Sequence, residues 1–319
     1  MYMCLERIAG EETMAGQIVV IGSSNVDFIM KMRRLPQRGE TITDANFLQT
    51  FGGKGANQAM AAARAGGRVS FVNCVGDDSH GAAIVQNMRE AGADVRHVWT
   101  ETDVASGTAL VMIGEGGDNY LSVAPGANYR LTPKHVDRAT DSIAKAALIM
   151  LQCEIPPDTL DYVFRLAITQ QRPMMLNLAP ARAVPEWVFP HLAYLVVNES
   201  EAAFLCGTSI DSVASATEAI RGLRDRGPQV VAITLGSAGA VLCSVDGIVH
   251  LPAFPANAID ATAAGDVFCG AMAVALVEGL PLQAAARFAS AASAICVTRF
   301  GAQPSIPTRQ EIDLFLHDH

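Results

Sequence analysis

The sequence predicts an α/β fold: a mostly parallel central sheet flanked by helices on both faces, with a small second sheet lying outside it. Two observations carry that expectation. Short β-branched runs alternate with longer alanine-rich stretches along most of the chain, as expected of strands covered on both faces by crossover helices. Two segments, 27–50 and 96–124, break the alternation. They are poor in helix signal and hold short alternating pieces (FIMKM, TALVMI, NYLSV) separated by Gly or Pro, which predicts strands of a small lid outside the main layer.

Residues 1–13 precede a second methionine and carry no periodicity, so 1–14 are expected to be a loose extension and 15–319 one domain. The first strand is the run 18–21, ending at Gly22, and similar runs at 69–75, 147–151, 174–178, 194–197 and 230–234 predict its neighbours. Between them, 56–65, 81–91, 133–144, 158–169 and 213–225 carry the helical pattern. The last third predicts two adjacent apolar helices, 266–279 and 282–298, with Pro281 placed to open the second.

The chain has 319 residues, of which half are AVILMFWYC and 17% are charged, so it can bury a sizeable core and is not a disordered chain. Lys and Arg number 23 against 32 Asp and Glu, a net charge of −9. There is no global basic field for a nucleic acid. The longest charge-free stretch, 227–245, is 19 residues and is interrupted by Pro228, Gln229 and the turn at 236–239, short of the ~20 predominantly apolar residues of a spanning helix. The N-terminus has acidic residues where a signal peptide would be apolar, so the expectation is a cytoplasmic protein without membrane contact. Seven scattered cysteines and seven histidines form no CxxC or HExxH, which argues against a disulfide framework or structural zinc.

Open α/β sheets bind ligands beyond the carboxyl ends of their strands, which directs attention to three segments. DATAAGD, Asp260 to Asp266, leads small residues into an apolar helix. A helix start of that kind binds anions, and Ala263, Ala264 and Gly265 allow close backbone approach. Asp266 beside such a site is suited to taking a proton, although an acid in a first turn also simply complements the helix dipole. FGGKGAN places Gly53, Lys54, Gly55, Ala56 and Asn57 at the start of another helix; the small residues suggest backbone approach to a ligand, or an ordinary glycine turn. GSSNVD follows the first strand, and Asn25 and Asp27, flanking Val26, would face the same way from an extended backbone. An amide and a carboxylate suit a vicinal diol, and an Asx turn is the alternative. NESE after the 194–197 run and TLGSAG after 230–234 occupy two further strand ends.

In this order, with FGGKGANQA, VGDDSHG, AAGD and VTRFGAQPS, these motifs resemble the ribokinase (PfkB) family of carbohydrate kinases from about residue 18 to 316. The resemblance implies a three-layer ribokinase-like fold with a β-sheet lid through which subunits pair as homodimers. It implies ATP-dependent phosphorylation of a sugar, D-ribose at its 5-hydroxyl, with Mg²⁺ or another divalent cation and K⁺. Alternatives are a kinase for a related sugar or nucleoside, such as 2-deoxyribose, and a non-catalytic sugar-binding regulator on the same fold. Carried over by position, Asp266 is the base and Ala263, Ala264 and Gly265 the anion hole, while Asn25, Val26, Asp27, Gly53, Lys54, Gly55, Ala56, Asn57 and Glu154 belong to the sugar site. Asn198, Thr234, Leu235, Gly236, Ser237, Ala238, Gly239, Gly265 and Ser290 match nucleotide positions, and Glu201 the element associated with Mg²⁺ and phosphate. Asp260, Thr262, Cys296, Arg299, Gly301 and Ser305 match positions around K⁺, contributing largely backbone oxygens. Ala261, Cys269 and Ser290 depart from the family pattern, where Thr, Asn and His are common.

Overall fold

The structure, a computed structural model, describes residues 16–116 and 118–319; the expected extension at 1–14 lies outside the described residues. Its centre is a nine-stranded sheet. In chain order its strands are β1 (Gln17–Ile21), β4 (Arg68–Gly76), β5 (Asp94–Glu101), β8 (Ala146–Leu151), β9 (Met174–Asn177), β10 (Tyr194–Asn198), β11 (Val230–Thr234), β12 (Ala240–Ser244) and β13 (Gly247–Leu251). They lie in the spatial order β13-β12-β11-β10-β9-β8-β1-β4-β5. All pair in parallel except β11–β12 and β12–β13. A second sheet, in the order β3-β2-β6-β7, comprises β2 (Asn25–Met32), β3 (Asn46–Gly52), β6 (Gly107–Gly114) and β7 (Asn119–Ala124).

Period-2 burial explains why the central strands read as unbroken apolar runs. In β1, Ile18 and Val20 enter one core while Val19 and Ile21 enter the other. The first core is closed by α1 (Lys54–Arg64), α2 (Ser79–Glu90), α8 (Ala264–Val277), α9 (Leu282–Cys296) and α10 (Arg309–Asp318). The second is closed by α3 (Pro133–Arg138), α4 (Thr140–Ala144), α5 (Pro157–Thr169), α6 (Glu199–Cys206) and α7 (Val213–Asp225). No helix among the described residues is long and apolar enough to cross a membrane.

Two expectations about elements need correction. The lid does not take the whole of 96–124: residues 94–101 form β5, paired in parallel with β4 at the edge of the main sheet. As an edge strand with none of its residues fully buried, it lacks the apolar run that marks central strands. The stretch 133–144 is two short helices meeting at Ala139, not one.

Candidate active site

Because the central strands run parallel, their carboxyl ends share one edge, where every motif singled out in the sequence arrives. β1 ends in the 22–25 loop, β8 leads to Gln152 and Glu154, β9 ends at Asn177, and β10 and β11 bring Asn198 and Thr234 into register as neighbours. The lid roofs the β1–β8 end of this edge. Between lid and α8 lies an open cleft of about 1100 Å³, lined by Asn25, Asp27, Gly53, Lys54, Asn57, Glu154, Asp260, Thr262, Ala263 and Asp266 among others.

The sugar-site expectation divides. Asn25, Asp27, Gly53, Lys54, Asn57 and Glu154 line the cleft, whereas Val26, Gly55 and Ala56 stand behind it. Val26 packs with Val75 and Ile84. The glycines of FGGKGAN serve a different approach from the one the sequence suggested. A Cβ on Gly53, which sits at φ 87°, would come 2.7 Å from the Ser24 Cα, and one on Gly55 would come 2.5 Å from the Ser23 nitrogen. They let the start of α1 press against the 22–25 loop, so the close partner is the protein's own backbone.

That contact closes the N-terminus of α1. The Lys54 N–H donates to Glu154 Oε2 (3.0 Å), Gly55 N–H to Ser23 Oγ (3.4 Å) and Ala56 N–H to the Ser23 carbonyl (2.7 Å). The N-terminus of α8 differs. No side chain caps it, and its N-cap, Ala263, sits in the left-handed region at φ 64°, a strained position for a residue with a Cβ. Beyond its chain neighbours and its own helix backbone, Gly265 has no protein atom within 4 Å of where a side chain would begin, so packing does not require glycine there. The absent side chain leaves open space at a helix start, where first-turn N–H groups lack intrahelical acceptors and suit an anion; the Ala264 N–H already donates to the Ala261 carbonyl (3.2 Å).

Asp266, in the first turn of α8, is buried at 6% exposure. Asn57 Nδ2 donates to its Oδ2 (2.9 Å) and Gln58 Nε2 to its Oδ1 (3.0 Å). Asn57 Oδ1 is buried without a partner, an acceptor left for a hydroxyl donor on a ligand. Burial opposes the charge on Lys54 and is the largest influence on it, but Asp266, Glu154, Glu201 and Cys269 together outweigh it and raise its pKa. Asp27 is pushed up to about 6, first by burial and then by Glu154. Asn25 is fixed from behind: Asn128 Nδ2 donates to its Oδ1 (2.9 Å), and Asn128, Asn73 and Ser24 complete a buried network. Gln58, Asn73 and Asn128 were not singled out in the sequence. A polar residue inside the apolar run FVNCV was the one available signal, and it marks Asn73.

The nucleotide expectation falls along the sheet edge, outside the large cleft. Asn198 caps α6 and accepts from the Glu201 N–H (2.8 Å), while Glu201 Oε2 accepts from the Asn198 N–H (2.9 Å). This capping box buries Glu201, whose pKa is raised mainly by burial. Thr234 and Leu235 lead into a single turn at Gly236, Ser237 and Ala238, after which Gly239 reverses the chain into β12. A Cβ on Gly239 would lie 2.0 Å from the Leu251 carbonyl oxygen, whereas Gly236 faces open space. Ser290, on α9, lines a separate cavity of about 220 Å³ with Leu251, Pro252, Phe254 and Arg287.

The cation expectation converges on one cluster. Asp260 Oδ1 accepts from the Thr262 N–H (2.9 Å) and hydroxyl (2.6 Å), and Oδ2 from the Gly301 N–H (3.0 Å). Burial works against its charge, but these bonds and Lys31 prevail and hold its carboxyl below the usual range. Cys296 Sγ lies 3.0 Å from Ser305 Oγ and points toward the Thr262 carbonyl. Arg299 pairs with Glu311, and among the described residues no arginine forms an ion pair with the Asp260 carboxylate. Another group of metal-type ligands, Cys74, Glu101 and His135, is engaged within itself. His135 Nε2 meets Glu101 (3.1 Å), Nδ1 accepts from the Thr132 N–H (3.2 Å), and burial pushes the Cys74 thiol up to about 12.

The signature described as "pfkB family carbohydrate kinase" matches residues 15–309. The chain is 39% identical over 299 residues to the ribokinase of Bacillus subtilis, covering 94% of this chain and 99% of that protein. It is 33% identical over 300 residues to the deoxyribokinase of Salmonella typhimurium, covering 94% and 98%. The solved structure of Arabidopsis thaliana ribokinase complexed with ribose and ATP superposes with a TM-score of 0.88 at 31% identity, covering 95% of this chain and 99% of that one.

Proposed function

This chain belongs to the pfkB family of carbohydrate kinases, and from that premise we propose that it phosphorylates D-ribose at the 5-hydroxyl with ATP. The observation that carries the proposal is the joining, in one cleft, of hydroxyl-binding groups with a buried carboxylate at an uncapped helix start. Asn25, Asp27, Lys54 and Asn57 hold the ring hydroxyls. The terminal hydroxyl reaches Asp266, its proton passes to the carboxylate as the new O–P bond forms, and the bond between the γ-phosphorus and the β–γ bridging oxygen breaks to release ADP. Phosphoryl transfer is largely positioning and charge stabilisation, and the start of α8 supplies backbone dipoles for the transferring group.

ATP extends from Gly265 along the strand ends to Asn198, the turn at 234–239 and Ser290. Mg²⁺, held by the phosphates with the Glu201 carboxylate at hand, would neutralise phosphate charge; the hard-oxygen donors there fit that ion. K⁺ fits the Asp260 cluster. An ionised carboxylate with neighbouring carbonyl and hydroxyl oxygens suits a large, weakly hydrated cation, and it would keep the 260–266 loop in the shape that aims its N–H groups at phosphate. In this reading residues 15–319 act as one catalytic unit under the lid, as a homodimer, in the cytoplasm where ATP is available.

A second reading, phosphorylation of 2-deoxyribose, is favoured by the likeness to deoxyribokinase. One panel separates them: ADP release with ribose, 2-deoxyribose, other pentoses and nucleosides, in K⁺ and in a bulky organic cation at constant ionic strength. The proposal expects the highest kcat/KM with ribose and a large loss of rate without K⁺. A preference for 2-deoxyribose would replace the first reading, and equal rates in the two salts would remove the cation site.

A further inference from the structure

We propose that Gln58 is a positioning residue for the reaction, fixing Asp266 so that Oδ2 is the atom that accepts the substrate proton. The inference rests on Asp266 being the base in the reading above.

Gln58 is 1% exposed, and every polar position of its amide has a partner. Nε2 donates to Asp266 Oδ1 and to Asn177 Oδ1, both at 3.0 Å, and Oε1 accepts from Gln152 Nε2 at 2.6 Å. Asn177 is in turn oriented by its own Nδ2, which donates to the Val196 carbonyl on β10 at 3.1 Å. Orientation therefore propagates from a backbone carbonyl that can only accept, through two amides, to the carboxylate. Reversing the Gln58 amide would set its oxygen against two acceptor oxygens and its NH₂ against another NH₂. Such a chain of donors has one low-energy direction.

The two oxygens of Asp266 are thereby unlike. Oδ1 is tied to Gln58, which does not line the cleft, and Oδ2 is shared with Asn57, which does. Each oxygen keeps a second lone-pair site; the one on Oδ2 lies beside a cleft-lining donor, Asn57, and is the one assigned to the ligand. The helices are built for this reach. Gly270, one turn after Asp266, has no room for a side chain: a Cβ would lie 2.6 Å from the Ala61 Cβ and 2.7 Å from the Gln58 carbonyl oxygen. The glycine brings α8 close enough to α1 for the amide to touch the carboxylate.

The test compares kcat, ribose KM and kcat–pH profiles of the full-length protein with those of Gln58→Glu, Gln58→Met, Gln152→Leu and Asp266→Asn, with melting temperatures taken throughout. Gln58→Glu keeps shape but sets a second carboxyl against Asp266, and the acid limb of its kcat profile should move up by about one pH unit or more. Gln58→Met should lower kcat by about 10-fold or more with ribose KM within about threefold, because a misplaced base loses rate before affinity. Gln152→Leu releases the amide without touching Asp266 and should show the same split at smaller size, which decides the matter should the Met variant not fold. Superposable pH profiles for wild type and Gln58→Glu, or a loss carried by KM in folded variants, would overturn the inference. If Asp266→Asn retains kcat, the base reading itself fails. If it is inactive while the Gln58 and Gln152 variants behave as wild type, only the positioning role fails.

Discussion

Asp27 carries opposing demands that predict its behaviour. It faces the cleft from β2 with its carboxylate against Gly52, whose absent Cβ would lie 2.1 Å from Oδ2. Burial, then Glu154, lifts its pKa to about 6. An ordinary aspartate titrates near 4, so the folded protein holds this proton more tightly than the unfolded chain does. Stability is therefore lost as pH rises from about 4 through about 6, and the burden is fully present at neutral pH. Asp27→Asn should accordingly raise the melting temperature of the sugar-free protein at pH 7.5, with the advantage shrinking toward pH 5. The same change should weaken ribose binding, since an ionised carboxylate accepting hydroxyls cannot be matched by an amide. Calorimetry with ribose and melting curves at both pH values check the two signs together; a variant that is neither stabilised nor weakened would mean that Asp27 is an ordinary surface-like acid. Asn25 and Asp27 were legible in the sequence because alternation on a strand fixes a shared face. Gln58 was not, because a sequence shows that an amide is present and not that three polar groups surround it.

At the scale of elements, the cleft depends on a polar joint between strands. Asn128, in the short helical turn Gly126–Arg130, accepts from the Ser24 and Asn73 donors and donates to the Ser24 carbonyl and Asn25 Oδ1. It thus ties the start of β2 to β4 and to the chain returning from the lid. Asn128→Ala leaves those buried partners short of a bond, each at about 1–3 kcal/mol. Urea unfolding should show a loss of at least about 2 kcal/mol, and ribose affinity should fall because Asn25 is no longer held; an unchanged midpoint and unchanged affinity would show the joint to be dispensable. Central strands were readable from their apolar runs, and most helices from their periodicity. The β12–β13 hairpin went unread although Asp246-Gly247 between alternating runs is a turn signal. So did α6 and α10, each opened by a capping box, Asn198 with Glu201 and Thr308 with Glu311. In α6 the capping residues are the same ones whose types suggest chemistry, and helices of this length carry little periodicity.

For the whole molecule, the lid poses a problem of cover that a second copy would solve. Register places Phe47, Met30, Met112 and Tyr120 in one row across the four strands, on the face opposite Ala109, Val111, Leu121 and Val123, which line the cleft. Phe47 is 58% and Tyr120 61% exposed, and Leu110, on the same face, is 42% exposed. A contiguous apolar row on a sheet with open edges is the kind of surface that proteins bury in association. Pairing lid to lid would cover it while leaving the cleft face toward substrate. The chain should therefore sediment at micromolar concentration as a dimer, at twice its 33.6 kDa. The double variant Phe47→Glu/Tyr120→Glu, which sets charges at both ends of the row, should sediment as a monomer. Because Asn25, Asp27 and Lys31 all sit on β2 within that sheet, a lid without its cover should hold the sugar less well. Monomerisation should then raise the ribose KM more than it lowers the melting temperature of the nine-stranded core. Wild-type protein sedimenting as a monomer would refute the pairing, and a monomeric variant with an unaltered KM would show that the lid needs no partner to form its half of the site.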